Sequence, residues 1–227
     1  MLIVGLIALN TAIFAAQPVV TTSDFTSEVS AGYVSKYVEF GDVTATGVYT
    51  AGAEVNWQSF KVAVNTLNTV EISPFTAALN RVDLTGAYKF TSTLADVSVG
   101  TTYIHFNNAN KLDFSGHWRP FVSVTNKYLG VTAAYDTQSR LANFEAKTKY
   151  SVDLTNGITV TPALFVGYTN VADALPKTVK AISYTNGYAG ADLTLAYGVL
   201  SVGGFVLQDG HTGRVDGGWH TAVKYNF

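Results

Sequence analysis

The residues of this sequence that could do chemistry are charged side chains at every second position of otherwise uncharged segments. The clearest case lies in residues 144–152, where Glu145, Lys147 and Lys149 alternate with uncharged neighbours. In an extended chain this spacing puts all three charges on one face. If the strand belongs to a barrel and its charged face looks inward, such side chains set the selectivity of a pore.

Similar charges stand on the polar faces of most other segments. We predict that the following residues line an aqueous interior: Glu28, Lys36, Glu54, Lys61, Asp83, Lys89, Arg119, Glu145, Lys147, Lys149, Asp192 and Lys224. Since both signs are present, two interpretations stay open. The charges either form salt bridges that hold the barrel's shape, or they set selectivity. In the second case Lys147 and Lys149, with Arg119 nearby, would favour anions.

Enzymatic chemistry has little support in the residue pattern. The four histidines are His105, His117, His211 and His220, and no serine lies in a recognisable nucleophile motif beside them. Asp209-Gly210-His211 is more typical of a turn than of a metal site, and the absence of cysteine excludes thiolate chemistry. We therefore predict no catalytic residue, cofactor or metal. An enzyme acting on lipid, or a non-conducting structural or binding barrel, stays as the alternative.

The element that must position these charges is a β-strand, repeated along the chain. Alternation of apolar and polar residues predicts about twelve strands between residues 25 and 227. Tight turns are expected at Gln58-Ser59 and at Thr155-Asn156-Gly157. Longer connections, among them 41–46 and 170–184, alternate with these short turns. The pattern predicts an all-β protein, an antiparallel up-and-down transmembrane β-barrel with short periplasmic turns and longer outer loops.

Two details of this pattern affect the interior. Pro120 weakens the sixth predicted strand, because proline cannot donate a hydrogen bond to the ladder. The connection 170–184 is the longest, and it is the best candidate for a plug or lid. Twelve strands enclose more space than eight, whose interior side chains can fill. A narrow channel is therefore expected unless a loop closes it.

Aromatic residues cluster near the predicted strand ends and indicate two girdles at the membrane interfaces. The periplasmic girdle would contain Phe25, Trp57, Phe60, Phe90, Tyr197, Tyr225 and Phe227. The outer girdle would contain Tyr37, Tyr49, Tyr103, Tyr135, Phe144 and Tyr168.

The N-terminal residues 1–16 are apolar and carry no charge, which favours a signal peptide over a membrane helix of ~20 residues. A buried N-terminal helix is the alternative interpretation. Residues 17–24 are predicted to be a periplasmic lead-in, and 25–227 a single barrel domain.

The C-terminal segment Gly217–Phe227 resembles the closing strand of bacterial outer-membrane β-barrels. Trp219, Val223, Tyr225 and Phe227 share one face, and the segment ends on an aromatic residue. The resemblance implies a bacterial outer membrane, contact with its lipid, and recognition of Phe227 by the barrel-insertion machinery. Residues 30–41, with Ser35, Lys36, Tyr37 and Gly41, are similar to the first strand of a family of uncharacterised outer-membrane proteins.

The low net charge is natural for a barrel whose outer surface faces lipid. It is only -2, so no nucleic-acid-binding surface is indicated. We expect a porin-like channel for passive diffusion of small hydrophilic solutes or ions. The sequence does not indicate the oligomeric state.

Overall fold

The computed structural model describes residues 25–39, 42–69, 80–106, 116–154, 156–171, 185–210 and 212–227. The predicted signal peptide (1–16), the lead-in (17–24) and nearly all of the plug candidate (172–184) lie outside these residues. The strands are β1 (Phe25–Glu39), β2 (Asp42–Trp57), β3 (Phe60–Thr69), β4 (Asn80–Thr91), β5 (Asp96–Phe106), β6 (His117–Thr125), β7 (Leu129–Asp136), β8 (Leu141–Lys149), β9 (Val152–Asp153), β10 (Ile158–Val171), β11 (Thr185–Tyr197), β12 (Leu200–Asp209) and β13 (Val215–Asn226).

Each strand pairs antiparallel with its neighbours, and the sheet closes on itself. β1 pairs with both β2 and β13, and β10 pairs with β11. β9 continues β8, because both pair with β10 in one unbroken register. Counting β8 and β9 as one, the barrel therefore has twelve strands around its circumference, which confirms the predicted strand number and fold class. Among the described residues, no helix is long and apolar enough to cross a membrane.

The interruption between β8 and β9 is caused by a proline on the neighbouring strand β10. The register places Tyr150 opposite Pro162, and the Tyr150 amide donates to the Pro162 carbonyl oxygen at 3.1 Å. The reciprocal bond cannot form, because proline has no N–H. The one hydrogen bond missing at Pro162 thus divides a single strand of the barrel into the segments β8 and β9. Pro120 likewise lies within β6, so the strand predicted around it does form.

Replacing Pro162 with alanine should allow this bond to form. The new amide would face the Tyr150 carbonyl oxygen, and its hydrogen exchange should be as slow as that of neighbouring β10 amides. Exchange measured by NMR in detergent micelles checks this. Rapid exchange at residue 162, beside slow exchange at its neighbours, would contradict the pairing of Tyr150 with Pro162.

The outer surface of the barrel is apolar, and the charged faces look inward. In β3, for example, Phe60, Val62 and Val64 are exposed while Lys61 and Ala63 point to the interior. A continuous apolar belt of this size is unsuited to water and matches a lipid-facing surface. The alternation fixes the strand register, because a slip of one residue would turn every charged side chain toward lipid.

We call the end of the barrel with the turns 58–59, 92–95, 126–128 and 198–199 the turn end, and the opposite end the loop end. At the turn end Phe25, Trp57, Phe60, Phe90, Tyr197, Tyr225 and Phe227 are all exposed, as predicted. Neighbouring rings contact one another, across strands in Phe60–Tyr88 and along the last segment in Tyr225–Phe227, with centroids 5.0 and 4.8 Å apart. The Phe227 amide also donates to the Ser27 carbonyl oxygen at 2.9 Å, which ties the last residue to β1.

Near the loop end, one predicted girdle residue is misplaced. Tyr49, Tyr135, Phe144 and Tyr168 are exposed, but Tyr37 is 0% exposed and lies inside the barrel. The register of β1 against β2 shifts directly after Tyr37. The prediction for Tyr37 is wrong because strict alternation already fails at this residue: the adjacent side chains of Lys36 and Tyr37 both reach interior partners, Asp216 and Arg81.

The first two strands are also longer than predicted. The expected loop at 41–46 is largely strand, since β2 begins at Asp42 and only residues 40 and 41 separate it from β1. The predicted hairpin at Asn156-Gly157 is confirmed. Both residues have positive φ angles, 82° and 76°, which a type I′ turn requires.

Candidate functional site in the barrel interior

All twelve residues predicted to line the interior lie on faces opposite the apolar belt. Most of them are held by an ion pair to a neighbouring inward side chain. The pairs are Glu28–Lys224 at 2.7 Å, Lys36–Asp216 at 3.0 Å, Glu54–Lys61 at 2.5 Å, Arg81–Asp83 at 2.6 Å, Lys89–Asp96 at 2.7 Å and Arg119–Asp136 at 2.5 Å. The sequence-based prediction omitted Arg81, Asp136 and Asp216 as interior charges. Arg81 lies two residues before Asp83 and therefore on the same face of the strand, so it could have been predicted from the alternation.

The loop half of the interior is densely packed around Arg81. Its guanidinium donates two hydrogen bonds to Asp83, at 2.6 and 2.9 Å, and one to the Tyr37 hydroxyl at 3.3 Å. Because Tyr37 is on β1 and Arg81 on β4, this last contact passes over β2 and β3. Val48 and Leu67 are completely buried beneath it.

A second polar group faces this one from β6 and β7. Two nitrogens of Arg119 donate to Asp136 Oδ2 at 3.1 and 2.5 Å, and His117 Nε2 lies 2.8 Å from the same oxygen. These charges interact electrostatically with Arg81. Side chains from β1, β4, β6 and β7 therefore converge in the loop half and narrow it.

The turn half is less densely packed. The side chains of Lys61 and Lys89 keep 29% and 48% of their surface exposed, whereas Arg81 and Asp83 keep none. The interior thus narrows from the turn end toward the loop end. We infer that a solute path through the barrel would be narrowest near Arg81 and Tyr37.

The wall formed by β8, β10 and β11 is organised by aromatic rings that lie flat against it. Register places Gly167 between Glu145 and Tyr188. The Tyr188 ring crosses directly over Gly167, where a β-carbon would collide with Cζ of the tyrosine. Its hydroxyl donates to Glu145 Oε2 at 3.2 Å and is 3.3 Å from Asn143 Oδ1.

His220 on β13 also lies over a glycine of the adjacent strand, in this case on β12. Its ring lies over Gly203, where a β-carbon would be 2.5 Å from Cε1. This lets His220 Nε2 reach Asp192 Oδ2 on β11 at 2.9 Å, while the Thr194 hydroxyl donates to Asp192 Oδ1 at 2.9 Å. The alternation of the last strand predicted a polar face for His220 but not this partner. The glycine opposite each inward ring was the available signal.

Lys147 differs from the other interior cations. It is 4% exposed, and its Nζ has no hydrogen-bond partner among the described residues. Its Nζ lies over the Phe165 ring, 5.9 Å from the ring centroid. Lys149 also lacks an ion pair in the described part of the chain, whereas Arg119, the third predicted anion-favouring residue, is bound to Asp136.

The three described histidines, His105, His117 and His220, do not assemble a recognisable catalytic or metal site. His117 contacts Asp136 and stacks on Phe106, and His105 stacks on Tyr103. His211 lies outside the described residues. Within the described ranges, no group of three or more His, Cys, Asp or Glu side chains is placed to hold a metal ion.

Comparison of the sequence with protein-family models and with curated proteins finds no match. Solved structures with a similar course of the chain include the NanC porin, with 13% identity and a TM-score of 0.48 over 88% of this chain and 98% of that one. The outer membrane protein OprD from Pseudomonas aeruginosa has 12% identity and a TM-score of 0.38 over 88% of this chain. The chain spans 65% of the length of OprD.

The translocator domain of the autotransporter NalP from Neisseria meningitidis is similar to the same degree. Its identity is 9% and its TM-score 0.49, over 96% of this chain and 93% of that one. With TM-scores below 0.5, these similarities assign no family and no activity to this chain.

Proposed function

We propose that this chain is a porin-like channel of the bacterial outer membrane, for passive diffusion of small hydrophilic solutes or ions. The observation that carries the proposal is a closed barrel with an apolar exterior and an interior lined by charges of both signs. Near the turn end Lys61 and Lys89 keep 29% and 48% of their side-chain surface exposed, so this part of the lumen would be hydrated. A hydrated lumen inside a lipid-facing barrel is a route across the membrane.

The proposal includes an orientation and an assembly route. The turn end would face the periplasm, since short turns lie on that side in outer-membrane barrels. The exposed aromatic residues would contact outer-membrane lipid, and Phe227 would be read by the barrel-insertion machinery. Residues 1–16 would direct secretion as a signal peptide.

Efflux from proteoliposomes tests the proposed function. The refolded protein should release small neutral sugars and retain larger oligosaccharides, because the loop half of the interior is narrow. Liposomes without protein are the control. Folded, inserted protein that releases no solute of any size would contradict the proposal. Lipid hydrolysis in the same vesicles would favour the alternative of a lipid-acting enzyme.

Lys147 and Lys149 provide a prediction about ion preference. Replacing both with glutamine removes two positive charges that form no ion pair among the described residues, so permeability should shift toward cations. The reversal potential under a salt gradient measures this shift. The variant Lys61→Gln/Glu54→Gln is the control, since it removes one charge of each sign. An equal reversal potential in the wild type and the Lys147/Lys149 variant would contradict a role for these lysines.

A further inference from the structure

One wall of the interior holds the charges that are not neutralised by ion pairs between basic and acidic side chains. In the part of the chain that the structure describes, Lys147 and Lys149 on β8 form no ion pair with a carboxylate, and Glu145 on β8 and Asp192 on β11 form none with a lysine or arginine. Asp192 is bound by His220 and Thr194. The buried and half-buried part of this wall thus carries two cations and two carboxylates. A third carboxylate on the same face, Asp153 of β9, is exposed at the turn end and accepts the Thr159 hydroxyl. The other predicted interior charges are paired.

Lys147 is the most unusual of the four. Its ammonium is buried without a hydrogen-bond partner among the described residues, and the adjacent Phe165 ring supplies only a weak attraction at 5.9 Å. Burial of a charge is unfavourable unless it is paired and hydrogen-bonded. An incoming anionic group would remove this deficit.

Glu145 lies two residues away on the same face of β8. One of its oxygens, Oε2, accepts the Tyr188 hydroxyl, and no cationic group of the described residues contacts the carboxylate. Although Glu145 and Lys147 are adjacent and of opposite charge, no ion pair or hydrogen bond joins them. The rigid wall holds the carboxylate toward Tyr188, because that ring is fixed over Gly167.

Two separated charges of opposite sign complement a ligand that carries both. A simple anion at Lys147 would be repelled by Glu145 and Asp192, and a simple cation at Glu145 by Lys147 and Lys149. A small zwitterion avoids both penalties, since its carboxylate and its ammonium each meet a partner. Lys149, half-buried, lies between Lys147 and the turn end, on the route by which such a solute would leave toward the periplasm or enter from it.

We propose that this wall binds a small zwitterion of the free amino acid class, its carboxylate on Lys147 and its ammonium on Glu145. The Lys147 ammonium reaches the solute by rotation of its flexible four-carbon stem. This inference rests on the proposed function, because the solute must enter the interior. It adds the chemical class of one solute to that function.

Equilibrium dialysis of labelled glycine against the refolded protein in detergent micelles tests the inference. Acetate and methylamine, each carrying one of the two charges, are the comparison probes. Glycine should bind more tightly than either by about tenfold, the effect of one charge-assisted hydrogen bond. Lys147→Met and Glu145→Gln should each lower the affinity for glycine by about tenfold as well.

The matched controls are Lys61→Met and Glu54→Gln, which alter a pair that is already closed at 2.5 Å, and both should bind glycine as the wild type does. Circular dichroism and gel mobility confirm folding of each variant. Equal binding of glycine and acetate, or unchanged glycine binding by folded Lys147→Met, would overturn the inference. Dialysis does not require conduction, so a protein that binds glycine but passes no solute would refute the channel and leave this site intact.

Discussion

Replacing Arg81 and Asp83 together with serine will roughly double the single-channel conductance, because these side chains narrow the loop half of the interior. The Arg81 guanidinium spans from Asp83 to the Tyr37 hydroxyl and is electrostatically coupled to Asp136. The double substitution removes both charges, and so leaves neither buried without the other. A single Arg81→Ser change would leave a buried carboxylate unpaired and cost about 3–5 kcal/mol of stability.

The matched control is Lys89→Ser/Asp96→Ser. This pair closes at 2.7 Å, but both side chains are substantially exposed at the turn end. Its removal should leave conductance close to that of the wild type. If both double variants fold and conduct equally, the constriction does not lie at Arg81.

The second large effect concerns Gly167. Alanine at this position should destabilise the barrel by about 1–3 kcal/mol, because its β-carbon would occupy the space of the Tyr188 ring. The ring would have to leave the wall and lose its hydrogen bond to Glu145. Urea unfolding in lipid vesicles, followed by tryptophan fluorescence, measures the change in the free energy of unfolding.

Two variants separate this clash from a general effect of alanine for glycine in a strand. Gly86→Ala should be nearly neutral, since a β-carbon there meets nothing within 4 Å. In a Tyr188→Ala background, Gly167→Ala should also cost little, because the colliding ring is gone. Equal losses for Gly86→Ala and Gly167→Ala would show that ring packing is not the cause.

The architecture was predictable because one physical rule acts along the whole chain. A strand between lipid and water must alternate its side chains, and the alternation at residues 144–152 already separates Glu145, Lys147 and Lys149 from the apolar face. Turn chemistry was equally local. Asn156 and Gly157 adopt the positive φ angles that the hairpin needs.

What the sequence could not provide is the pairing between distant strands. Nothing local indicates that Arg81 contacts Tyr37, or that Asp192 is bound by His220 rather than by a lysine. These contacts depend on register and on glycines opposite the inward rings. Tyr37 was misplaced for a related reason, since Lys36 and Tyr37 both contact interior side chains although strict alternation assigns them to opposite faces.

Single-channel recording of the refolded wild-type protein in a planar bilayer tests the proposed channel most directly. We expect discrete, reproducible conductance steps, small because the interior narrows around Arg81 and Tyr37. Insertion is verified separately by flotation of the protein with vesicles of the same lipid. A folded and inserted barrel that never conducts would contradict a continuous aqueous path and favour a structural or binding barrel.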